Sequence, residues 1–347
     1  MRRIYLIRHA LPDMTPEKKR CIGCTDVPLG TLGRLQSAVL GEYMKTKPVS
    51  AVFCSGLSRA RETARAISQV PVVVSALREM DAGAWDGLFF DEIRQKWPEI
   101  YEKRGVDPNY PIPGAEAIEQ GQRRFAGAVE AIINKTDGDI AIVAHCTVIQ
   151  SFLCYVLETD VKTCREYRLD YTGICTIGHA CGRYSVLNIN EIPAVPLTDA
   201  LCEVLLTAAE APLEHCRNVA ETADQITREL MEAGISLDRE QIHFGALLHD
   251  IARKEPNHTD AGARWMDALG YPEIADLIRT HHDPDTDEIC EKTIVFLADK
   301  LPVEERFSRS LSKCTTEEAR AAHARRLEAA LALKKKINSL CGKELIS

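Results

Sequence analysis

The pattern of apolar residues changes at a proline-punctuated segment, 192–196 (IPAVP), and this change constrains the fold more than any other feature. Before it, short apolar runs alternate with stretches of helical spacing, which predicts strands and helices in turn. After it, apolar residues recur at helical spacing only. The sequence therefore predicts an α/β domain, with a mostly parallel sheet flanked by helices, over 1–192. A linker at 193–197 and an all-α domain over 198–347 follow.

The predicted strands of the first domain are bounded by turn residues or by sharp polar breaks. Helices are predicted over 57–68 and from about 147, and a hairpin is predicted to turn at Cys181-Gly182. In the second domain, an apolar stripe that begins at Cys216 predicts a helix. The strands are 4–7, 51–54, 70–74, 139–144, 174–180 and 183–189, and the further helices are 240–252, 259–269, 272–280, 288–300 and 315–340.

Charge and composition exclude some classes of function. The net charge of −8 disfavours a general nucleic-acid binder, because phosphate backbones are usually bound by a basic face. Only four uncharged residues, 4–7, precede Arg8, which is too few for a signal peptide, and no stretch is apolar enough to span a membrane. We therefore expect a cytoplasmic protein with no membrane partner. Its 13 scattered cysteines then indicate reduced thiols. Cys21 and Cys24 form a lone Cys-x-x-Cys pair, which disfavours a zinc or redox role.

Several charged or titratable residues of the first domain lie at or near predicted strand ends. They are Arg8 and His9 after the first strand, Arg59 after the second, Glu79 after the third and His145 after the fourth. In open parallel sheets, ligands bind beyond the carboxyl ends of the strands, so these residues are expected to converge. Their chemistry suits phosphoryl transfer, since imidazole attacks phosphorus, arginine binds phosphate oxygens and a carboxyl group moves a proton. Each residue taken singly would more often be structural.

Four segments carry a resemblance to the histidine phosphatase (phosphoglycerate-mutase-like) superfamily. They are 6–10 (LIRHA), 54–64 (CSGLSRARETA), 77–87 (LREMDAGAWDG) and 142–145 (IVAH). The resemblance implies that His9 accepts the phosphoryl group and that Glu79 donates the proton. It also implies that Arg8, Arg59 and His145 surround the phosphate, together with a loop at 23–29 that contains Gly23, and that this site needs no metal.

The residues around these segments resemble the α-ribazole phosphatase branch, through Trp97-Pro98 and 113–116 (PGAE). The sequence departs from the family pattern at a few positions, none of which removes a group that does chemistry. Ala10 replaces a glycine, Gly56 a proline and Cys146 a glycine, and Gln150 stands where a basic residue is common.

The second domain contains many histidines and aspartates, which are ligand types for divalent transition metals. His215 lies beside an apolar helical stripe, His249 shares a face with Ile242, and Asp299 ends an apolar stretch, so all three are expected to point inward. A lone histidine on such a face is usually structural, which is how we interpret His243, together with His179 and His323 elsewhere.

This set resembles the HD-domain metal-dependent phosphohydrolases, most closely bacterial enzymes that cleave dinucleoside tetraphosphates. Segments 213–216 (LEHC), 245–253 (GALLHDIAR) and 298–300 (ADK) carry the resemblance, with 257–263 and 278–281 in support. It implies an ion such as Fe, Mn or Zn, and Arg253 is a substrate-binding candidate from its charge and position. The implied ligands are His215, His249, Asp250 and Asp299, with His258 and His281 at positions that hold a second ion and His282 as a further candidate.

The sequence thus predicts two phosphohydrolase sites acting on small phosphorylated metabolites and nucleotides. Two alternatives remain open. Only one domain could be catalytic while the other senses a ligand, or the chain could be a structural or partner-binding protein. Expression of each half alone would test the first, and a panel of phosphate esters with and without EDTA would separate all three.

Overall fold

The computed structural model describes residues 1–14, 19–303, 307, 311, 315–342 and 344. The chain divides into two compact units, Met1–Val195 and Pro196–Ser347. Each unit is described by itself.

The first unit is built on a six-stranded mixed sheet with the order β3-β2-β4-β1-β5-β6. Within the described residues, β1, β4, β2 and β3 pair in parallel, whereas β5 and β6 add an antiparallel hairpin at one edge. This confirms the predicted sheet and its closing hairpin. The strands are β1 (Arg2–Arg8), β2 (Val49–Cys54), β3 (Val72–Val73), β4 (Asp139–Ala144), β5 (Ile174–Ala180) and β6 (Arg183–Glu191).

Helices cover both faces of this sheet. Both faces are apolar, because successive side chains of a strand point to opposite faces. On β1, Ile4 and Leu6 belong to one apolar cluster, whereas Tyr5 and Ile7 belong to another. The middle of β1 is therefore buried on both faces, which is typical of central parallel strands. The helices are α1 (Thr31–Met44), α2 (Ser58–Ile67), α3 (Phe90–Lys96), α4 (Pro98–Val106), α5 (Ile118–Ile133) and α6 (Cys146–Leu157).

The register of β1 and β4 places two site residues side by side. Ile7 pairs with Val143 and Arg8 with Ala144, so both strands end at the same edge of the sheet. His9 and His145 are the residues that follow, and the His9 N–H donates to the Ala144 carbonyl at 2.9 Å. The predicted strand over 70–74 is shorter than expected, since only Val72–Val73 pairs and both side chains are exposed at the sheet edge.

The second unit is all-helical in the part that the structure describes, as the sequence predicts. A helix predicted over 240–252 ends instead at Leu248, where the chain enters a turn that presents His249 and Asp250. The helices are α7 (Asp199–Ala208), α8 (Leu213–Glu232), α9 (Arg239–Leu248), α10 (His258–Leu269), α11 (Pro272–Thr280), α12 (Glu291–Lys300) and α13 (Glu317–Cys341).

Candidate active sites

His9 is held in one tautomer by the main chain. Its Nδ1 lies 2.7 Å from the Ala10 carbonyl oxygen. A carbonyl only accepts hydrogen bonds, so Nδ1 carries the proton and Nε2 keeps the lone pair of the neutral ring. His9 is buried, and it lines a cavity of about 660 Å³. Nε2 is therefore the ring atom of His9 that is free to act as a nucleophile.

The surroundings of His9 keep its ring neutral. Burial and the positive charges of Arg59 and Arg8 lower the pKa of His9 well below its ordinary value. An uncharged imidazole is the form that attacks phosphorus, because a protonated ring has no free lone pair. The chemistry thus depends on a histidine that burial and two neighbouring arginines hold unprotonated at neutral pH.

His145 faces His9 across the sheet edge, with ring centroids 5.0 Å apart. Its Nε2 lies 2.7 Å from the Ser55 Oγ, which accepts a hydrogen bond from the Leu57 N–H. Nδ1 of His145 is buried without a hydrogen-bond partner in the described part of the chain. Burial and the nearby charges of His9, Arg59 and Arg8 lower the pKa of His145 well below its ordinary value. The residue therefore offers one anchored and one unpaired ring nitrogen.

The two arginines of the site are oriented by carbonyl oxygens rather than by carboxylates. Arg59 is fully buried and donates to the Thr25 and Gly23 carbonyls at 2.8 and 3.0 Å. Arg8 donates to the Leu169 carbonyl, and its guanidinium lies 3.8 Å from the centre of the Tyr171 ring. Neither arginine forms an ion pair with any residue that the structure describes. Two fixed cations without a counter-charge suit an anion such as phosphate.

Glu79 lies at the N-terminus of α6, where it is 8% exposed. Its carboxylate accepts hydrogen bonds from the N–H groups of Thr147, Val148 and Met80, at 3.0, 3.1 and 2.9 Å. Glu79 lines the same cavity as His9 and Arg8. It is therefore oriented toward the space in which a leaving group would lie.

Gly23 also lines this cavity, but its peptide groups are engaged by protein atoms. Its N–H donates to Asp86 Oδ1 at 3.0 Å, and a Cβ at this position would lie 2.3 Å from the Met80 carbonyl oxygen. Asp86 also accepts from the N–H groups of Cys24 and Thr25. The absence of a side chain at Gly23 thus allows the loop to pack closely against the segment that carries Glu79.

The second unit gathers four predicted ligand atoms. His215 Nε2 lies 3.3 Å from Asp299 Oδ1 and 3.7 Å from Asp250 Oδ2. His249 Nε2 lies 3.6 Å from the same two oxygens. Atoms that bind one ion at about 2.0–2.2 Å lie roughly 3.0–3.6 Å apart. The spacing of these four atoms therefore suits a single divalent cation.

Two buried histidines at this centre direct a lone pair inward. Nδ1 of His249 donates to the Ala246 carbonyl, and Nδ1 of His281 donates to the Ile278 carbonyl, each at 2.7 Å. Both Nε2 atoms are buried, and neither has a hydrogen-bond partner among the described residues. Metal-binding histidines typically donate a hydrogen bond from one ring nitrogen to a carbonyl and keep a free lone pair on the other. These orphaned nitrogens are the observation that best fits a metal.

Asp250 presents its second oxygen to another group of histidines. Asp250 Oδ1 lies 3.4 Å from His258 Nε2 and 3.8 Å from His281 Nε2. His258 Nε2 is 3.1 Å from His282 Nε2. One carboxylate thus faces two clusters of nitrogen atoms, an arrangement that suits a bridging ligand between two ions.

His282 and Arg253 lie at the edge of this centre. Lys300 donates to His282 Nδ1 at 3.0 Å, so the other ring nitrogen carries the proton in the neutral ring. Burial and the charge of Lys300 lower the pKa of His282 to about 3. Arg253 is 53% exposed, with its guanidinium 3.7 Å from Asp250 Oδ1 and 3.3 Å from the His258 ring.

The carboxylates of this centre supply the negative charge that attracts a cation. Burial alone would raise the pKa of Asp299, but the neighbouring rings of His215 and His249 and the charge of Lys300 hold that pKa well below its usual range. Burial alone would lower the pKa of His249, whereas Asp299 and Asp250 raise it overall. The two acids thus attract positive charge to the point where the ligand atoms meet.

Residues 4–192 match the family model of the histidine phosphatase superfamily (branch 1), which covers more than half of the chain. The chain belongs to the histidine phosphatase superfamily. This histidine phosphatase also carries a second domain, since residues 213–302 match the family model of the HD domain. Both families predicted from the sequence motifs are therefore confirmed, and the chain is a phosphatase.

Known relatives of this histidine phosphatase match its first domain. It is 30% identical over 196 residues to the bifunctional protein Rv2228c of Mycobacterium tuberculosis, covering 54% of this chain and 54% of that protein, so it spans about half the length of that relative. The structure of Bacillus stearothermophilus YhfR is 28% identical, with a TM-score of 0.51, and covers 53% of this chain and 95% of its own. The α-ribazole phosphatase of Shigella flexneri, at 22% identity and a TM-score of 0.51, covers 57% of this chain and 100% of its own, which supports the fold.

The phosphatase site brings together every residue predicted for it, and the structure adds residues that the sequence did not indicate. Ser55 holds His145, and Asp86 holds the loop at 23–25. Arg124 donates to the carbonyls of Ala76, Arg78 and Glu79 while it pairs with Glu116 at 2.7 Å. Ser55 and Asp86 lie inside segments 54–64 and 77–87. Their closeness in sequence to Arg59 and Glu79 was the one indication that they belong to the site.

The described helices of this histidine phosphatase do not include one with both the length and the apolar character that a bilayer crossing requires. The predicted structural histidines lie outside both sites. His243 bonds to Asp224 and Asp199, His323 bonds to the Phe307 carbonyl, and the His179 ring lies against Tyr184.

Proposed function

We propose that the first domain hydrolyses a small phosphate monoester through a phosphohistidine on His9. The observation that carries this proposal is the hydrogen bond from His9 Nδ1 to the Ala10 carbonyl, which leaves Nε2 as the nucleophile beside two unpaired arginines. Nε2 attacks phosphorus and the P–O bond to the leaving group breaks, while Glu79 gives that oxygen a proton. Water then attacks the phosphohistidine as Glu79 takes a proton back.

The surrounding residues stabilise the charge that develops on the transferred group. Arg8 and Arg59 donate to its oxygens, and His145 donates from Nδ1 while its Nε2 accepts a hydrogen bond from the Ser55 hydroxyl. Gly23 leaves room for the loop that orients Arg59. These roles follow the family resemblance residue by residue, and the contacts described above support each of them.

The test of this site uses the His9→Ala variant of the full chain in EDTA, with a panel of phosphate monoesters. We expect metal-independent hydrolysis to fall at least about 1000-fold, because the covalent route is lost. His179→Ala, in the same domain but outside the site, should retain activity. Acid-labile labelling of wild-type protein by a ³²P ester would identify the intermediate. EDTA-resistant turnover that survives in His9→Ala would refute the proposal.

We further propose that the HD domain carries out metal-dependent hydrolysis of a nucleotide-like phosphate ester or anhydride. The orphaned Nε2 atoms of His249 and His281 support a divalent transition metal such as Fe, Mn or Zn. His215, His249, Asp250 and Asp299 would hold one ion, and His258 and His281 would hold a second with Asp250 between them. When bound, the metal supplies an acidified water and polarises the phosphoryl oxygen.

The remaining residues of the HD centre have proposed roles that can be described without the metal. Arg253 binds a phosphate oxygen at the exposed edge. Lys300 orients Asp299 and His282 by donating to both, at 2.5 and 3.0 Å. His282 binds the centre only if Lys300 releases its ring, so it is the weakest of the predicted ligands.

Elemental analysis of purified protein, followed by chelation and reloading with Mn²⁺, Fe²⁺ or Zn²⁺, tests the second site. We expect bound metal in wild type and a loss of at least about tenfold in affinity in Asp250→Asn. The control is His243→Gln, which changes a histidine outside the centre. Protein that binds no divalent ion and gains no activity on reloading would leave the HD domain as a ligand-sensing module, the principal alternative.

A further inference from the structure

Two arginines line the cavity of His9 at positions separate from Arg8 and Arg59. Arg104 belongs to α4, and Arg165 belongs to a short 3-10 segment, Val161–Glu166. Both contribute to the wall of the same cavity of about 660 Å³ that contains His9 and Glu79. A single phosphoryl group at His9 fills only part of such a volume, so the wall formed by these arginines faces the rest of the substrate.

Neither arginine is neutralised by the protein. Arg104 donates to the Tyr110 carbonyl at 2.7 Å, and Arg165 donates to the Arg104 carbonyl at 2.9 Å. No ion pair to either arginine occurs within the described residues. Asp107 is engaged instead by Lys162, at 3.5 Å. Carbonyl oxygens orient a guanidinium but leave its positive charge in place.

The two cations lie close enough to repel each other. Burial and the charge of Arg165 lower the pKa of Arg104. Arg104 is half-buried and Arg165 is exposed, and neighbouring like charges disfavour each other unless an anion joins them. In a chain of net charge −8, two neighbouring arginines that form no ion pair with the described residues are a feature that calls for an anionic ligand.

Other charges around the cavity agree with this sign. Lys19 and Arg20 also line it, so its basic residues outnumber the three acids on its wall, Glu79, Asp81 and Glu116. Glu116 pairs with Arg124 and Arg78, and Asp81 accepts from the Gly83 N–H. Glu79 accepts from three backbone N–H groups. The lining of this cavity is therefore positive on balance.

We propose that Arg104 and Arg165 bind a second anionic group of the substrate, a carboxylate or a second phosphate, while His9 receives the phosphoryl group. The proposal rests on the function proposed for His9. It narrows the substrate class to phosphate monoesters that carry another negative charge, because a neutral substituent would leave both guanidiniums without a counter-charge.

Matched substrate pairs test the proposal in the full-length protein with EDTA present. 3-Phosphoglycerate and glycerol 3-phosphate differ by a carboxylate, and fructose 1,6-bisphosphate and fructose 6-phosphate differ by a phosphate. We expect the wild type to prefer the more highly charged member of at least one pair by about tenfold or more in kcat/KM. The preferred pair identifies which anion the arginines bind. Wild-type protein that discriminates within neither pair would overturn the proposal.

The variants Arg165→Ala and Arg104→Gln should remove this preference. We expect kcat/KM for the preferred substrate to fall about 10- to 100-fold, mainly through KM, because a charge-assisted contact to the substrate is lost. Turnover of the less charged partner should stay within about twofold. Arg123→Ala, an exposed arginine of α5 outside the cavity, is the control. Equal losses on both members of a pair would overturn the proposal, since a general effect on folding or chemistry would then explain them.

Binding to the His9→Ala variant separates this proposal from that for His9. Calorimetric titration with 3-phosphoglycerate and with fructose 1,6-bisphosphate needs no turnover. Binding that weakens on adding Arg165→Ala supports the arginine pair even if no phosphohistidine forms. No binding of either compound, or binding that neither arginine substitution changes, overturns it whatever the activity of His9.

Discussion

Burial, rather than a carboxylate partner, fixes the protonation state of individual histidines in the phosphatase site. Both His9 and His145 are buried beside arginines, and the pKa of each is lowered well below its ordinary value. The two rings stay neutral over the pH range in which a surface histidine begins to gain charge near 6.5. This property links catalysis to the stability of the fold.

The stability of the first domain should therefore fall as the pH drops below about 6.5. The unfolded chain then binds protons that the folded histidines resist, so the free energy of unfolding decreases with decreasing pH. Each such group contributes up to about 1.4 kcal/mol per pH unit. Urea unfolding at pH 7.5, 6.5 and 5.5 measures the slope, which should be smaller in His9→Asn than in wild type. Parallel slopes for these two proteins would contradict the prediction.

Ser55 should act as a positioning residue for His145. Ser55→Ala removes the 2.7 Å hydrogen bond to His145 Nε2, so we expect kcat in EDTA to fall about tenfold while KM changes little. Rapid-quench measurement of phosphoenzyme formation would locate the loss in the first chemical step. Ser151→Ala is the matched control, because its buried hydroxyl donates within α6 to the Val148 carbonyl. Loss of activity in both variants alike would indicate a packing effect.

The charged and nucleophilic residues of the phosphatase site could be predicted from the sequence, whereas the residues that hold them in position could not. His9, Arg59, Glu79 and His145 occur in motifs with fixed neighbours, so order along the chain was enough to group them. Arg124 reaches the Glu79 segment from α5, across more than forty residues, and no local pattern indicates such a contact. The pairing of Arg104 with Arg165 depends on tertiary structure in the same way.

At the scale of helices and strands, close approach between α1 and α2 depends on glycine. A Cβ at Gly41 would lie 2.4 Å from the Ala66 carbonyl oxygen, which is far inside ordinary contact distance. At Gly127, on α5, a Cβ would meet no atom within 4 Å. Replacement of these two helical glycines by alanine should therefore change the free energy of unfolding in opposite directions.

Gly41→Ala should lower the free energy of unfolding by about 2 kcal/mol or more, because the helices must separate. Gly127→Ala should raise it by roughly 0.5–1 kcal/mol through helix propensity and reduced freedom of the unfolded chain. Denaturant unfolding of both variants against wild type measures the two effects. If Gly41→Ala were also stabilising, the close packing of α1 on α2 would be wrong.

Periodicity predicted the elements well where burial is strong and poorly where it is weak. The runs of β1 and β4 are buried on both faces, and both strands formed where expected. The run at 70–74 is rich in valine, but Val72 and Val73 lie exposed at the sheet edge and only they pair. Helices α3 and α4, which carry few buried residues, had no apolar stripe by which to predict them.

The whole chain joins a histidine phosphatase domain to an HD domain, and the candidate sites of the two domains are built from different residue types. The phosphatase site is built from two arginines, two histidines and Glu79. The HD centre concentrates two carboxylates and several imidazoles. The division into two units follows the change in sequence pattern, which is why the order of domains could be predicted from hydrophobic periodicity and motifs together.

Metal should stabilise only the HD domain. Ligand that binds the native state at 100 times its dissociation constant adds about 2.7 kcal/mol. Calorimetry of the full chain should therefore show one transition that EDTA lowers and one that it leaves unchanged. His249→Ala should abolish the difference between metal-loaded and EDTA-treated samples without reducing EDTA-resistant phosphatase activity. A single transition that shifts as a whole with EDTA would mean that the two units do not unfold independently.

The carbonyl anchoring of Arg8 and Arg59 has a kinetic consequence. Because the main chain holds both guanidiniums whether or not a substrate is bound, they attract the product as well as the ester. In the mechanism that we propose, inorganic phosphate released from the phosphohistidine would meet the same donors that bound it at the start, and it would have to leave before the next turnover. We therefore expect inorganic phosphate to inhibit hydrolysis in competition with the ester, because both would bind the same pair of arginines.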